Sequence, residues 1–233
     1  TGAVEISARY SHTCARLGTG AARGWGSNCY GELGDGTNTD RLTPVAVADL
    51  SDPSDYLTDV TDVTAGGAFT CARLGSGAAK CWGANWYGQL GDGTTDSTLW
   101  PVAVADLTGI SSLTAGSDHA CARLDDGSTT CWGWAFAEPA GAASLSDVTS
   151  MDAGFSHTCA RLGDGKVSCW GYGALGQDSD EQSSSTPVKV QKQRPVQDLV
   201  QVVAGTQHPC RLLRGGAAAG WGPGPRRPPR GRA

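Results

Sequence analysis

Six cysteines form three pairs with the same internal spacing. The segments CARLGSGAAKCWG, CARLDDGSTTCWG and CARLGDGKVSCWG each place two cysteines ten positions apart around a Gly-containing turn. This pattern is typical of a β-hairpin. Residues placed symmetrically about such a turn face each other with α-carbons roughly 4.5 to 5.5 Å apart, within the reach of a disulfide. We therefore predict the disulfides Cys71–Cys81, Cys121–Cys131 and Cys159–Cys169.

The cysteine spacing also bears on metals and on the compartment. No Cys-x-x-Cys occurs, and zinc would need ligands from separate hairpins, so we expect no metal site. The alternative to disulfides is that the six cysteines are free buried thiols. If they do form persistent disulfides, the protein is expected in an oxidising, extracytoplasmic compartment. Gly24 stands opposite Cys14 and Gly220 opposite Cys210, so these hairpins cannot be bridged in the same way. For Cys29, a free thiol, an unusual bridge and an intermolecular link remain open.

Histidine recurs two positions before the first cysteine of four hairpins, which superficially resembles a ring of metal ligands. In the second hairpin Phe69 occupies this position. A residue that Phe can replace is more consistent with bracing the strand by hydrogen bonding or packing. The four histidines are His12, His119, His157 and His208.

Two acidic loops, GDGTNTD and GDGTTD, contain the oxygen ligands that calcium prefers, but they lack the spacing and the terminal glutamate of an EF-hand. Turn formation by Asp-Gly explains them better. No nucleophile elbow, phosphate-binding loop or isolated carboxylate pair occurs, so we predict a protein that is not an enzyme and has no cofactor. The loop carboxylates are Asp35, Asp40, Asp92 and Asp96.

Several aromatic residues stand outside the repeated pattern. The tryptophans of the Trp-Gly motifs recur in register and are expected in the core, whereas the others lie in loops, where they could anchor a partner. Packing against a neighbouring repeat is the alternative. The candidate partner-binding residues are Trp86, Tyr87, Trp100, Trp134 and Phe136.

The composition fits a chain of short strands and tight turns. Of 233 residues, 34 are glycine, one is methionine and three are phenylalanine, so the core is built from Val, Ala, Leu and Trp. No apolar run approaches the roughly 18 residues of a membrane span. The segment 223–233 is rich in Pro and Arg; we predict that it is disordered and expect no nucleic-acid partner.

The Trp-Gly motif divides the chain into repeats. Its spacing of 57, 50, 38 and 51 residues indicates stacked units or propeller blades, because one hairpin cannot bury its own apolar face. Full repeats add an alternating strand before the hairpin and a strand beginning at Pro44 or Pro101, giving four strands. The third repeat lacks the Gly-rich loop and should be irregular. The predicted repeats of this all-β protein are 1–57, 58–107, 108–147, 148–198 and 199–222.

The combined pattern AGxxHTCARLGDGxxxCWGxNxYGQLGDGT…TPVAV resembles the repeat of the regulator of chromosome condensation family. The resemblance covers roughly residues 1–222 and implies a β-propeller. Complete members have seven blades of four strands, so about five repeats imply part of a propeller or a smaller assembly. The paired cysteines look more like bacterial and secreted relatives than like the nuclear exchange factor.

These observations predict a rigid extracytoplasmic scaffold that binds a protein partner through its blade loops. One alternative is a secreted enzyme inhibitor, similar to the propeller-type β-lactamase inhibitory protein. A second is a guanine nucleotide exchange factor for a small GTPase, although no exchange residue can be mapped onto this sequence. A carbohydrate-binding or hydrolytic propeller would need paired carboxylates near Trp86 or Trp100.

Thiol counting tests the disulfide prediction. Alkylation of the unfolded, unreduced protein should modify three cysteines, because the other six are bonded, and alkylation after reduction should modify all nine. Intact-mass measurement distinguishes the two states. Nine modified cysteines without reductant would contradict the pairing and remove the argument for an oxidising compartment.

Overall fold

The computed structural model describes residues 2–51, 55–134, 145–173, 175–176, 183–190, 199–206, 209–213 and 217–220. The regular secondary structure of these described residues consists of β-strands, without helices. It accordingly contains no helix with the length and apolarity to cross a membrane. The predicted disordered segment 223–233 lies outside the described residues.

The strands form five antiparallel sheets, each from one continuous stretch of chain, with consecutive strands as neighbours. Three sheets have four strands. They are β1–β4 (Ala3–Arg9, His12–Leu17, Ala22–Gly26, Arg41–Ala46), β5–β8 (Val60–Ala65, Phe69–Leu74, Ala79–Gly83, Thr98–Ala103) and β12–β15 (Val148–Ala153, His157–Leu162, Val167–Tyr172, Ser183–Lys189). The third and fifth sheets have three described strands each: β9–β11 (Ile110–Ala115, His119–Leu124, Thr129–Gly133) and β16–β18 (Leu199–Ala204, Pro209–Leu213, Ala218–Gly220).

The sheets pack face to face in chain order. Strand β5 contacts β1 and β2, β9 contacts β5 and β6, β12 contacts β9 and β10, and β16 contacts β12 and β13. This arrangement of up-and-down sheets is that of a β-propeller. The all-β propeller expected from the sequence is therefore confirmed, and the sheets are called blades 1 to 5 below.

The hairpin register agrees with the cysteine spacing. Each cysteine pair is directly cross-strand, with Sγ–Sγ distances of 2.09, 2.03 and 2.12 Å in chain order. The α-carbons are 4.0–4.1 Å apart, slightly closer than the expected spacing. Cys14 pairs with Gly24 and Cys210 with Gly220, as the sequence alignment indicated.

The outer strands differ from the prediction. They begin before the prolines: β4 starts at Arg41 and β8 at Thr98, so Pro44 and Pro101 lie inside them. In both blades the register shifts next to the proline, and the strand is at the sheet edge. An edge strand with a bulge tolerates proline because the missing N–H is not needed for the ladder.

A ladder of hydrogen bonds joins the first strands of successive blades. In each step a side-chain oxygen of one blade accepts a hydrogen bond from a backbone N–H of the next. The donor is always the alanine of the repeated Ala-Gly. The pairs are Ala65 N to Ser7 Oγ (3.0 Å), Ala115 N to Thr64 Oγ1 (3.1 Å), Ala153 N to Thr114 Oγ1 (3.0 Å) and Ala204 N to Asp152 Oδ2 (2.7 Å).

We call the contact zone between two successive blades a seam. In a second part of the seam, farther from the first strands, a tryptophan is joined to the preceding blade. Trp82 Nε1 donates to Glu32 O (3.0 Å), and Trp132 Nε1 donates to Gln89 O (2.9 Å). Both indoles are fully buried, so this bond satisfies a polar group that would otherwise be costly to bury. The carbonyls belong to the Gly-x-Leu-Gly loops of blades 1 and 2, which thus take part in the core.

The cystines also belong to the seams, because each lies on the face that the next blade covers. Cys159 and Cys169, for example, pack in one cluster with Leu199 and Val202 of blade 5. The face of blade 1 that points away from blade 2 is not covered by another blade within the described residues. Ile6 is 63% exposed where the corresponding Val63 is 3% exposed, and Trp25 is only half-buried.

Gly91→Ala and Gly93→Ala form a matched test of the tryptophan seam. Both glycines have φ in the left-handed region (+68° and +81°), so each alanine should cost about 1–2 kcal/mol of backbone strain. A Cβ at Gly91 would also lie 2.9 Å from the Trp132 ring, whereas a Cβ at Gly93 meets nothing within 4 Å. Urea unfolding should therefore show an additional loss of about 1–3 kcal/mol for Gly91→Ala. Equal losses would contradict the proposed packing.

Candidate functional site

The histidines of the repeat join blades through threonine. His12 Nε2 lies 3.0 Å from Thr70 Oγ1, and His119 Nε2 lies 2.9 Å from Thr158 Oγ1, each in the following blade. Burial lowers the pKa of His12 to about 4 and, with nearby Arg9 and His157, that of His119 to about 3. Both rings are therefore neutral at pH 7. These contacts confirm the predicted bracing role for the two residues; His208 lies outside the described residues.

Blade 2 has no histidine at this position, but the residue there also contacts the following blade. Phe69 replaces the histidine, and the residue at the threonine position of the following blade is Ala120. The two lie in one buried apolar cluster. A His–Thr pair at one seam is thus replaced by a Phe–Ala pair at another, so position 120 places no threonine hydroxyl against the phenylalanine ring, where it would lack the histidine partner.

One end of the propeller gathers the turns after each first strand and the loops after each third strand. Backbone hydrogen bonds connect these two kinds of segment, as in Ser27 N to Ser11 O (2.9 Å) and Ala84 N to Ala68 O (2.8 Å). The same bond occurs in blades 3 and 4. We call this surface the loop face. The hairpin turns between second and third strands lie at the opposite end.

The loop face carries nearly all exposed aromatic side chains of the described chain. Trp86 is 49% and Tyr87 50% exposed, and Tyr30 of blade 1 contacts Trp86 edge-to-face at 4.7 Å between ring centroids. Tyr10 and Phe155 form a second pair, at 6.1 Å. Tyr56 lies between β4 and β5, away from this face. The exposed aromatic residues of the loop face are Tyr10, Tyr30, Trp86, Tyr87, Phe155 and Tyr172.

Buried asparagines hold the loops that carry these rings. Asn85 Nδ2 donates to Asp92 Oδ1 and to the carbonyls of Thr94 and Asp96 at 3.1–3.2 Å, while its Oδ1 accepts from Leu90 N (2.9 Å). Asn28 makes the corresponding bonds in blade 1. The loops therefore have a defined conformation before any partner binds.

The Asp-Gly carboxylates take part in this loop structure. Burial raises the pKa of Asp35, but hydrogen bonds from Thr37, Arg41 and Asn28 outweigh it and hold the pKa below its usual value. Arg41 is 2.7 Å from Asp35 Oδ2. These contacts agree with the turn-forming role that the sequence suggested for the loop.

The structure separates the predicted partner-binding residues. Trp86 and Tyr87 are half-exposed on the loop face, but Trp100 is partly buried, with its ring against Gly36 of the blade 1 loop. Trp134 is partly buried beside Tyr172, at 4.8 Å between ring centroids. Phe136 lies outside the described residues. Trp100 thus makes the packing contact that was weighed as the alternative, and its partner-binding role stays a prediction.

Arg9 and Tyr10 are features of the loop face that the sequence reasoning missed. Arg9 stands where the other repeats have glycine, as at Gly154, and its guanidinium donates to Ala153 O (2.6 Å) and Gly154 O (3.3 Å) of blade 4. Tyr10 has a φ of +52° and ends 3.5 Å from Ser117 Oγ of blade 3. The break in the Ala-Gly repeat was the available signal. Blade 1 is thereby tied directly to blades 3 and 4.

The fold and its seams define the class of protein as a β-propeller built from sequence repeats. Two models of the regulator of chromosome condensation (RCC1) repeat match the chain, one at residues 20–73 and 77–123 and the other at 3–32, 60–89 and 148–177. The matches together cover more than half of the chain. The protein therefore belongs to the RCC1 repeat family.

Curated relatives match a shorter stretch. Over 104 residues, or 45% of this chain, it is 32% identical to the ultraviolet-B receptor UVR8 of Arabidopsis thaliana and 29% identical to the probable E3 ubiquitin-protein ligase HERC4 of Homo sapiens. The match spans 22% of UVR8 and 9% of HERC4, so the chain corresponds to a small part of either protein.

Solved structures share the fold at low identity. Human WBSCR16 superposes with a TM-score of 0.78 at 19% identity, and Prp20p of Saccharomyces cerevisiae with 0.77 at 22%. Each match covers 94% of this chain but only 61% and 56% of the other. The ectodomain of the receptor kinase ACR4 of Arabidopsis thaliana gives 0.55 at 17%, covering 94% and 63%.

The buried histidines predict a pH-dependent stability. Because their folded pKa values are below the ordinary 6.5, only the unfolded chain binds their protons as the pH falls from about 6.5 towards 4, and stability decreases in that interval. Between pH 7 and pH 5 each histidine should remove about 2 kcal/mol. Asp62 acts in the opposite direction, because burial and Glu5 raise its pKa to about 6.

Comparison of variants isolates the histidine contribution. His119→Phe with Thr158→Ala introduces the Phe–Ala pair already present between blades 2 and 3, and should reduce the loss of stability between pH 7 and pH 5 by about 2 kcal/mol. Thr158→Ala alone keeps the histidine and should keep the pH dependence. Urea unfolding at both pH values measures the difference; an unchanged pH dependence in the double variant would disprove the assignment.

Proposed function

We propose that this protein is a non-catalytic, extracytoplasmic β-propeller that binds a protein partner on its loop face. One observation carries the proposal: of seven exposed aromatic residues in the described chain, six lie on that face. Chance placement would distribute them over both ends. Exposed aromatic side chains that cluster on one surface are typical of interaction sites.

The construction of the loops favours tight binding by this surface. Asn28 and Asn85 hold the two longest described loops through buried hydrogen bonds, and the tryptophan seams hold the base of each loop. Binding of a partner would therefore cost little free energy for ordering these loops. Trp86 and Tyr87, together with Tyr30, are the proposed anchor residues.

The cystines support an extracytoplasmic location. All three lie under the next blade, so oxidation would stabilise the hairpins that form the seams. Bonds of this kind persist in oxidising compartments. The similar fold of a receptor-kinase ectodomain supports the same placement.

The similar proteins favour a protein as the ligand. The Prp20p structure is described together with binding properties towards Gsp1p and histones, and a further structure holds Kap60 bound to yeast RCC1 (Prp20). Regulation of a small GTPase is the second candidate function, supported by this fold match. Acceleration of labelled GDP release from a GTPase would favour it over simple scaffolding.

Affinity capture with matched variants tests the proposal. The oxidised protein is used as bait for an extracytoplasmic fraction, alongside Trp86→Ala with Tyr87→Ala and, as a control, Tyr56→Ala. Tyr56 is similarly exposed but lies off the loop face. The captured partner should be retained by wild type and Tyr56→Ala and reduced at least about tenfold by the double variant, because buried aromatic anchors dominate interface energies.

Two results would contradict the proposal. Equal capture by all three baits would place binding elsewhere, and loss with Tyr56→Ala alone would place it at the opposite end. If the captured protein is an enzyme whose activity falls on binding, the protein acts as a secreted inhibitor, which is a particular form of the same function.

A further inference from the structure

We propose that the partner segment received by blades 1 and 2 is cationic, a stretch of polypeptide whose Lys or Arg side chains lie against the rings of Tyr30, Trp86 and Tyr87. This inference rests on the proposed function and specifies the chemistry of its ligand. It follows from the arrangement of the rings, from the charges around them and from what the local cations already bind.

The rings offer the surface that organic cations prefer. Tyr30 and Trp86 meet at an interplanar angle of 87°, so one ring presents its edge to the face of the other and the pair forms a corner. Tyr87, the next residue to Trp86, is equally exposed. A guanidinium or ammonium group above such a face is attracted by the ring quadrupole, most strongly for tryptophan.

Carboxylates lie in the same two loops that carry this aromatic corner. Asp96 is exposed, and its carbonyl lies 3.2 Å from Asn85 Nδ2, next to Trp86 in the chain. Asp92 lies in the same loop, and Asp40 is exposed in the corresponding loop of blade 1. None of these three carboxylates forms an ion pair within the described residues. The loops that display the rings therefore also carry negative charge that no cation of the described residues balances.

The cations of the loop face are already engaged. Arg41 is paired with Asp35, and Arg9 donates to the two carbonyls of blade 4. A basic segment from a partner would supply the missing charge and cover the rings at the same time. An acidic or neutral segment would leave the carboxylates of Asp92 and Asp96 without compensation at the edge of the interface.

Negative charge alone does not define the site, because the opposite end is also acidic. The hairpin turn of blade 3 exposes Asp125 and Asp126 but has no exposed aromatic residue beside them. The two ends thus provide an internal comparison. Non-specific attraction of a cation would depend on both ends, whereas recognition by the loop face depends on carboxylates and rings together.

Fluorescence anisotropy with labelled octaarginine as the probe tests the inference. The folded, oxidised protein is titrated at physiological salt, with octaglutamate and a neutral hexasaccharide as comparison ligands. Trp86→Ala with Tyr87→Ala should weaken octaarginine binding at least about fivefold. Asp96→Asn should weaken it about threefold, while Asp125→Asn, which removes the same exposed charge from the opposite end, should change Kd by less than about 1.5-fold.

Asp96 is a suitable position because its carboxylate makes no hydrogen bond or ion pair within the described chain, so the folded state should be unaffected. Near-ultraviolet circular dichroism of each variant checks this. Absence of octaarginine binding by wild type, or equal weakening by Asp96→Asn and Asp125→Asn, would overturn the inference. So would hexasaccharide binding that is lost in the aromatic variant, since it would identify a glycan site.

These results are separable from a failure of the proposed function. If protein capture depends on Trp86 and Tyr87 while octaarginine does not bind, the loop face is a protein-binding surface of different chemistry. If octaarginine binds through the rings while capture is equal for all baits, the rings bind cations but do not carry the protein interaction. The first result would thus keep the proposed protein-binding function and reject the cationic partner, whereas the second would reject the proposed function.

Discussion

A hydrogen bond from a buried indole to a carbonyl of the preceding blade is the interaction on which the described loop face depends. A tryptophan ring supplies a large apolar area, but its N–H cannot be buried without an acceptor at low cost. For the tryptophans of blades 2 and 3, that acceptor is a carbonyl in the Gly-x-Leu-Gly loop of the preceding blade, which packs against the ring. The loop must therefore adopt one conformation if the core is to close. Where the third repeat lacks the motif, Trp170 Nε1 has no acceptor among the described residues.

This constraint connects residues at the surface with the core. The loop that accepts from Trp132 is also the loop that displays Trp86 and Tyr87, and Asn85 connects its two ends. Core packing and partner presentation are thus properties of one segment. Substitution of a loop glycine that contacts a buried indole ring should disturb both the core and the display of the exposed residues. Substitution of the exposed aromatic residues themselves should affect binding alone. Such separation is what allows one propeller to vary its partner while it retains its fold.

The seams also show that the repeats vary in matched pairs. Phe69 and Ala120 replace a histidine and a threonine that hydrogen bond at other seams, and Asp152 takes the acceptor position that serine or threonine fills elsewhere. Arg9 replaces a glycine and finds its acceptors on blade 4. Each exception is compensated by a residue in another blade. The unit of packing is therefore the seam between repeats, which a single repeat does not contain.

Spacing along the chain was sufficient to predict the strand class, the hairpin register and the cysteine pairing, because all three depend on the period of a strand and the symmetry of a turn within about ten residues. It also identified Trp86 and Tyr87 as being outside the repeated core pattern. Three features depend on the packed repeats: Trp100 packs on Gly36, Arg9 reaches blade 4, and six of the seven exposed aromatic rings of the described chain share one end of the molecule. Those outcomes depend on which surfaces of different repeats meet, and that is set by the angle and order of packed sheets rather than by any local pattern.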